Sequence, residues 1–149
     1  MQPPTQLHLA LTSEPDSVRK AAEALRALLS ALGCGPEAMA EIELCAVEAM
    51  NNVIEHAYGS RPGQPFELKA WKDASGLVLE LRDEGASLPA GALSRPSLPA
   101  VDPEARDTLP EGGWGLYILR ELMDEVAYEA LPSGNRMRLV RRRSLTSSR

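Results

Sequence analysis

The segment EAMNNVIEH, residues 48–56, restricts the fold more than any other part of the chain. Its polar residues Glu48, Asn52 and His56 recur every four positions, so on a helix they share one stripe. The adjoining arc is apolar and predicts a face packed on a sheet; it comprises Ile42, Ala46, Ala49, Val53 and Ala57. A carboxylate and a carboxamide at the core edge suit a general base and a ligand of a hard cation. Taken alone, an ordinary solvated helix edge explains the stripe more simply.

The segments on either side of this helix predict the order β-α-α-β-β-α-β-β. Alternating or apolar runs predict strands over 6–11, 66–72, 77–82, 126–131 and 137–142; helical spacing and start signals predict helices over 15–32, 36–57 and 116–123. Turn residues at 73–76 and 132–135 join the last two pairs of strands as hairpins. We therefore expect an α/β (α+β) two-layer sandwich, with a mixed, mostly antiparallel sheet and the helices on one face.

A long loop over 84–113 contains five prolines and separates the third predicted strand from the last predicted helix. Loops of this length inside a compact domain are usually lids or binding segments. Before the loop, Asp83 follows a buried strand and Gly85 comes two residues later. That pair suits a carboxylate that binds a ligand edge and a backbone that approaches it closely. A simple strand-to-loop turn explains the pair better when it is considered alone.

The glycines at 112, 113 and 115 run directly into the predicted third helix. Unpaired backbone N–H groups at a helix N-terminus favour phosphate, and the helix dipole adds to this preference. The segment matches neither a Walker loop nor a dinucleotide fingerprint.

Composition narrows the function further. The 149 residues carry 16 Lys and Arg against 21 Asp and Glu, for a net charge of −5. An acidic domain binds nucleic acid poorly by default, so no direct nucleic-acid partner is expected. All the acidic residues precede position 136, which gives residues 1–135 a net charge of −11 and residues 136–149 a net charge of +6. This basic end suits either a solvated last strand or contact with phosphates or an acidic partner.

Two cysteines, Cys34 and Cys45, are eleven positions apart without metal-binding neighbours. We interpret them as free thiols in a reducing compartment, with Cys45 buried. The chain has no apolar run long enough to span a membrane and no secretory signal pattern. A cytoplasmic protein without a membrane partner is therefore expected.

Together and in this order, the three motifs resemble the N, G1 and G2 boxes of the GHKL ATPase superfamily, which has a Bergerat-type ATP-binding fold. Within it, the sequence is most similar to the small anti-sigma-factor serine/threonine kinases. Their pattern E-A-x-x-N-x-x-x-H matches residues 48–56, and G-G-x-G-L-x-x-x-x-x-x-M-D matches residues 112–124. The resemblance extends from the first strand to about Arg142, so we expect one kinase domain over 1–143 and a flexible tail over 144–149.

The resemblance implies a role for each motif residue, with ATP and Mg²⁺ as cofactors. Asn52 would hold Mg²⁺ at the ATP phosphates, and Glu48 would orient or deprotonate the attacking hydroxyl. Asp83 would accept a hydrogen bond from the adenine amino group, and Gly85 would leave room for the base. The remaining cofactor-binding residues would close over the phosphates; they are Gly113, Trp114, Gly115 and Leu116.

Two positions depart from the family pattern. Ser87 stands where many members have a second glycine, and Arg138 is the residue that we align with a threonine near the phosphates. Three other residues are assigned ordinary roles: His56 a helix-end or supporting role, Arg106 a solvated loop position and Trp71 a core strand position.

The implied function is an ATP-dependent serine/threonine kinase that acts as an anti-sigma factor in partner switching. Its partners would be a small STAS-type anti-anti-sigma antagonist, which it phosphorylates, and a sigma factor or other regulator. Family members tend to form homodimers. The departures at Ser87 and Arg138 motivate an alternative, a nucleotide-gated module that sequesters a regulator without phosphotransfer. The ATP-binding half of a histidine kinase is a third hypothesis, but no phospho-accepting helix is evident.

Overall fold

The computed structural model describes residues 5–88 and 113–146. It contains five strands and three α-helices in the predicted order: β1 (Gln6–Thr12), α1 (Pro15–Ala31), α2 (Pro36–Asn52), β2 (Pro65–Asp73), β3 (Gly76–Asp83), α3 (Gly113–Leu122), β4 (Glu125–Leu131) and β5 (Gly134–Arg141). Both α1 and α2 begin at a proline, where a missing backbone N–H is harmless. Each predicted element is therefore confirmed, with shifted ends.

The strands form one sheet in the order β1-β2-β3-β5-β4. All four pairings among the described strands are antiparallel, so none is the parallel pair that a mixed sheet would contain. The two-layer α/β sandwich is confirmed. The place of β5 between β3 and β4 brings the end of β3 next to the start of β5, with Asp83 opposite Asn135.

The core lies between the helices and one face of the sheet. Side chains such as Leu68, Leu79 and Leu139 alternate onto this face and are fully buried against Leu25 and Ile42 of the helices. Cys45 belongs to the same core as a free thiol, as predicted, and its burial raises the pKa of the thiol to about 12.

The opposite face of the sheet carries Trp71 and Arg138, which corrects two predictions. Cross-strand register places Trp71 opposite Val78, and the Arg138 guanidinium lies 5.9 Å from the centroid of the Trp71 ring. Trp71 is thus a strand residue outside the main core. Because alternate residues of β5 face opposite sides, Arg138 points away from the helices and cannot stand where a cleft residue is needed.

Helix α2 ends at Asn52, five residues before the predicted end at Ala57. Residues Val53–Ala57 form a π-helical turn, in which the Tyr58 N–H donates to the Val53 carbonyl at 3.1 Å. The wider turn rotates His56 away from the regular spacing of an α-helix. The Ala57 carbonyl accepts its bond from the Ala86 N–H at 2.8 Å instead, which joins the helix end to the segment after β3. Such π turns are frequent at functional sites.

Candidate nucleotide-binding site

A cleft opens between the end of α2, the π-helical turn and the ends of β3, β4 and β5. Its walls include Asn52, His56, Asp83, Tyr128 and Met137. Three residues singled out by the sequence pattern, Asn52, His56 and Asp83, therefore meet in one cleft. Glu48 lies one turn earlier on α2, on the same side as Asn52.

Asp83 presents a carboxylate whose two oxygens have different surroundings. Its Oδ1 accepts hydrogen bonds from the Asn135 Nδ2 and the Gly85 N–H, both at 2.8 Å. Within residues 5–88 and 113–146, no hydrogen bond to Oδ2 is found. Burial raises the pKa of Asp83, and the bonds from Asn135 and Gly85 partly oppose this shift. One oxygen is thus fixed by the protein, and the other is available to a ligand in the cleft.

Asn135 is the residue of β5 that reaches this site, and the sequence analysis missed it. Its side chain is 1% exposed and makes bonds to four groups. Besides Asp83, Nδ2 donates to the carbonyls of Gly85 at 3.2 Å and Ala86 at 3.0 Å, while Oδ1 accepts from the Ser87 hydroxyl at 2.6 Å. The departure at Ser87 is therefore paired with Asn135, and the position near the site belongs to Asn135 rather than Arg138.

Two glycines allow the backbones around Asp83 to approach closely. A Cβ at Gly85 would lie 2.2 Å from the Ala57 carbonyl oxygen, and a Cβ at Gly134 would lie 1.9 Å from the Asp83 carbonyl oxygen. Both positions therefore require glycine. At Gly85 the close neighbour is the end of the π-helical turn, a reason that the sequence pattern does not reveal.

Tyr58 links the π-helical turn to both strands that lead into the site. Its side chain is 2% exposed, and its hydroxyl donates to the Pro65 carbonyl of β2. The same oxygen accepts from the Glu84 N–H at 2.7 Å, directly beside Asp83. On the other side, the Leu88 N–H donates to the Tyr128 hydroxyl at 2.7 Å. The segment from Asp83 to Leu88 is therefore bound along most of its length.

Asn52, unlike Asn135, has a side-chain nitrogen without a hydrogen-bond partner among the described residues. The residue is 7% exposed, and this Nδ2 atom is buried. Leaving such a group unpaired costs roughly 1 to 3 kcal/mol, so a ligand that supplies a partner is favoured here. The nitrogen and oxygen ends of a carboxamide are distinguished only by their hydrogen bonds, so either end can be presented to that ligand.

Glu48 is partly buried on the turn of α2 before Asn52. Burial raises the pKa of its carboxyl, and the negative charge of Glu55 adds to the shift. A raised carboxyl pKa brings a general base closer to the operating pH and strengthens its affinity for a proton. His56 is partly buried in the cleft wall at the helix end, in keeping with its expected place.

The glycine-rich motif is described only in part. Gly113 begins α3, and Leu116 is partly buried against the core. The side chains of 113–115, the loop residues 89–112 and with them Arg106 lie outside the described residues. The predicted phosphate contacts of Gly113, Trp114, Gly115 and Leu116 stay predictions.

The arginines near the end of the chain are already paired. Four of them form ion pairs with acidic side chains: Arg136 with Glu129, Arg141 with Glu41, Arg142 with Glu125 and Arg143 with Asp124. This pairing favours the interpretation of a solvated last strand over a free basic patch. After β5, the Leu145 carbonyl accepts from the Gly35 N–H at 2.9 Å.

One protein family matches almost the whole described fold. The family described as the histidine kinase-like ATPase domain matches residues 11–141, which include both sides of the cleft. The chain belongs to this family. The resemblance to GHKL ATPases and their α/β fold is therefore confirmed, and with it the use of ATP.

Curated relatives place the chain more closely within the family. It is 34% identical over 102 residues to the serine/threonine-protein kinase BtrW of Bordetella bronchiseptica, covering 66% of this chain and 67% of that protein. It is 27% identical to the serine-protein kinase RsbW of Bacillus pumilus, covering 83% and 78%. It is 26% identical to the anti-sigma F factor of Geobacillus stearothermophilus, covering 84% and 83%. The predicted likeness to anti-sigma serine/threonine kinases is thus confirmed.

Among solved structures, the histidine kinase domain of the Erythrobacter litoralis EL346 blue-light activated histidine kinase is similar, with a TM-score of 0.49 and 14% identity. The match covers 83% of this chain and 58% of that chain. Within the described parts of the chain, no helix has the length and hydropathy needed to cross a bilayer.

Proposed function

We propose that this chain is an ATP-dependent serine/threonine protein kinase that acts as an anti-sigma factor in partner switching. The observation that carries the proposal is the pairing of two features in one cleft. Among the described residues, no hydrogen bond reaches Oδ2 of Asp83 at one end, and the buried Asn52 Nδ2 has no partner at the other. The amino group of a purine suits the Asp83 oxygen, and a phosphate group with its cation suits the Asn52 amide.

In this proposal different residues bind the base and the phosphates of ATP. Asp83 Oδ2 would accept a hydrogen bond from the exocyclic amino group of adenine. Gly113, Trp114, Gly115 and Leu116 close over the phosphates, where backbone N–H groups at the start of α3 favour negative charge. Phosphoryl transfer requires mainly positioning and charge neutralisation, which this small set of groups supplies.

The donor set supports Mg²⁺ as the cation. The described residues contain no group of three or more His, Cys, Asp or Glu side chains that could hold a metal ion by itself. Mg²⁺ commonly binds through one or two protein oxygens together with substrate phosphates and water, so the Asn52 carboxamide fits as a single protein ligand. When bound, Mg²⁺ supplies charge neutralisation at the phosphates.

Glu48 acts on the acceptor hydroxyl. The serine or threonine oxygen of a partner protein forms a bond to the γ-phosphorus, the bond from that phosphorus to the β,γ-bridging oxygen breaks, and ADP leaves. Glu48 takes the hydroxyl proton, which its raised pKa favours. The partly buried position of Glu48 beside Asn52 supports this role.

The proposed acceptor is a small STAS-type anti-anti-sigma protein, and the sequestered partner is a sigma factor or another regulator. Phosphorylation adds about 1.5 to 2 negative charges to the antagonist. Residues 1–135 of this chain carry a net charge of −11, so the modified antagonist is repelled from its own kinase. We also propose a cytoplasmic location, a homodimer and a single domain over 1–143. The expected flexible tail over 144–149 is not proposed as such, because the Leu145 carbonyl accepts a hydrogen bond from the Gly35 N–H.

Calorimetric titration with Mg·ATP and Mg·ADP tests the nucleotide site. We expect saturable binding by the wild type and loss of binding in Asp83→Asn. The asparagine side chain has no negative charge, and when its amide nitrogen faces the ligand it presents a donor where the carboxylate presents an acceptor. Asp73→Asn is the matched control, since Asp73 is exposed at the end of β2 and does not line the cleft. A folded wild-type protein that binds neither nucleotide would refute the kinase proposal.

The intact mass of the antagonist after incubation with Mg·ATP separates the kinase from its alternative. A mass increase by one phosphate supports the kinase. An unchanged mass together with a stable, nucleotide-dependent complex identifies a non-catalytic sequestering module instead. The pairing of Ser87 with Asn135 removes one motive for that alternative, because Ser87 is integrated into the site rather than disrupting it.

A further inference from the structure

Among the described residues, Asn135 does not line the cleft, but its carboxamide bonds to Asp83 and has more hydrogen bonds than any other polar side chain of the site. Three acceptors surround its nitrogen: Asp83 Oδ1 and the carbonyls of Gly85 and Ala86. One donor, the Ser87 hydroxyl, faces its oxygen. This arrangement fixes the orientation of the amide. In a flipped amide, the oxygen would face three acceptors and could not form a hydrogen bond with any of them.

We propose that Asn135, held by Ser87, is the positioning residue that makes the nucleotide site selective for a purine with an exocyclic 6-amino group. The inference rests on the proposed function, because it concerns how Asp83 meets the base. Asn135 acts through Asp83 and makes no contact with the nucleotide itself.

The two oxygens of the Asp83 carboxylate have different surroundings. A free carboxyl group can rotate and present either oxygen, or a protonated hydroxyl, to a ligand. The bonds from Asn135 and Gly85 engage Oδ1, and Asp83 lines the cleft, so Oδ2 is the oxygen left to accept from a ligand there. Two donors on a single carboxylate also favour its ionised form, which opposes the effect of burial on the pKa of Asp83.

An ionised oxygen fixed in this way discriminates between purines. It accepts a hydrogen bond from the 6-amino group of adenine, but it repels the 6-oxo group of hypoxanthine. A site whose buried polar group is left unpaired by the wrong ligand rejects that ligand strongly. If the carboxyl group could rotate or become protonated, it could donate to the 6-oxo group, and the discrimination would fall.

The residue at 135 must supply two N–H donors and one acceptor from one short side chain. Asparagine does this, and an aspartate of the same shape supplies no donor when it is ionised. Asn135→Asp therefore changes the hydrogen bonding with little change in volume. Ser87→Ala is the milder variant: Ser87 is exposed, and its hydroxyl contacts only the Asn135 oxygen among the site residues.

The test compares the Kd values of the purified full-length protein for Mg·ATP and for the magnesium complex of inosine triphosphate, which has the 6-oxo group. We expect the wild type to bind ATP about tenfold to a hundredfold more tightly than inosine triphosphate. In Asn135→Asp this ratio falls toward one, and in Ser87→Ala it falls about twofold to fivefold. Arg136→Gln is the control, because the next side chain along β5 faces the other side of the sheet and the ratio should not change.

The ratio separates a positioning role from a merely structural one. A structural defect weakens both nucleotides equally, so an unchanged ratio in Asn135→Asp and Ser87→Ala would overturn the inference and leave the proposed function standing. If Asn135→Asp does not fold, as judged by circular dichroism, Ser87→Ala decides alone: a reduced ratio supports the inference and an unchanged ratio overturns it. A wild type that binds neither nucleotide refutes the proposed function and this inference together.

Discussion

The two ends of the cleft differ in how fully the protein satisfies its own polar groups. At the base end, which comprises Asp83, Gly85 and Asn135, almost every donor and acceptor has a protein partner. At the transfer end, which comprises Glu48 and Asn52, a buried amide nitrogen has no partner among the described residues and burial raises the pKa of a carboxyl. The base end is therefore built before a ligand arrives, and the transfer end is completed by the ligand.

This difference predicts that substitutions at the two ends have separate effects. Groups without protein partners contribute little to folding, so changing them should affect the reaction and leave stability nearly unchanged. Groups with several protein partners hold the fold and the base pocket together, so changing them should alter stability and affinity first.

The largest expected effect is the loss of phosphotransfer in Glu48→Gln. Removing a general base typically lowers kcat by about a hundredfold to ten-thousandfold. ATP affinity should stay within about twofold, because Glu48 contacts the acceptor rather than the nucleotide. Single-turnover transfer to the antagonist and calorimetric titration measure the two quantities. Retained transfer in this variant would reject Glu48 as the base.

The pH dependence of transfer sharpens the same prediction. Because the pKa of Glu48 is raised, the acidic limb of the wild-type rate profile should lie above the usual glutamate range of about 4.3. Glu55→Gln is the matched control: it keeps transfer but moves this limb to lower pH, since it removes one of the two causes of the shift. If Glu55→Gln left the acidic limb of the rate profile at the same pH, the group that titrates there would not be Glu48.

At the base end, Gly134→Ala should cost about 3 kcal/mol in the free energy of unfolding. Its Cβ would lie 1.9 Å from the Asp83 carbonyl oxygen, where φ is +151°. Gly33→Ala is the control because Gly33 also has positive φ, at +82°, but nothing lies within 4 Å of its Cβ. Urea denaturation measures both. If both variants lost the same free energy of unfolding, backbone strain alone would explain the loss, and the contact with the Asp83 carbonyl would not contribute.

The sequence predicted the parts of the site that depend on local pattern. The spacing of Glu48 and Asn52 and the position of Asp83 at a strand end follow from regular helix and strand geometry. The structure places Asn52 and Asp83 in one cleft and Glu48 one turn before Asn52. Asn135 was assigned to a turn because Asn and Gly are typical turn residues. Its burial depends on contacts with residues 48 to 52 positions away, which no local pattern contains.

Two further differences have physical causes of the same kind. The helix after Asn52 ends in a π turn, and the Ala57 carbonyl at the end of this turn bonds to Ala86, far along the chain, rather than within the helix. The family's threonine was aligned with Arg138, but the residue of β5 at the site is Asn135, three positions earlier. The apolar pattern predicted the start of this strand at 137, whereas β5 begins at Gly134. A shift of an odd number of residues moves every side chain to the opposite face of the sheet.

The smallest expected effect tests how the base end is tied to the rest of the fold. Tyr58→Phe removes a hydroxyl that joins the Pro65 carbonyl to the Glu84 N–H, and we expect a loss of about 1 to 2 kcal/mol in the free energy of unfolding. Tyr128→Phe removes a hydroxyl that bonds the Leu88 N–H and should cost less, because Tyr128 is less buried and loses one bond. Transfer at saturating ATP should stay within about twofold in both variants. If Tyr58→Phe instead left stability unchanged and lowered the transfer rate strongly, the two ends of the cleft would not be separable.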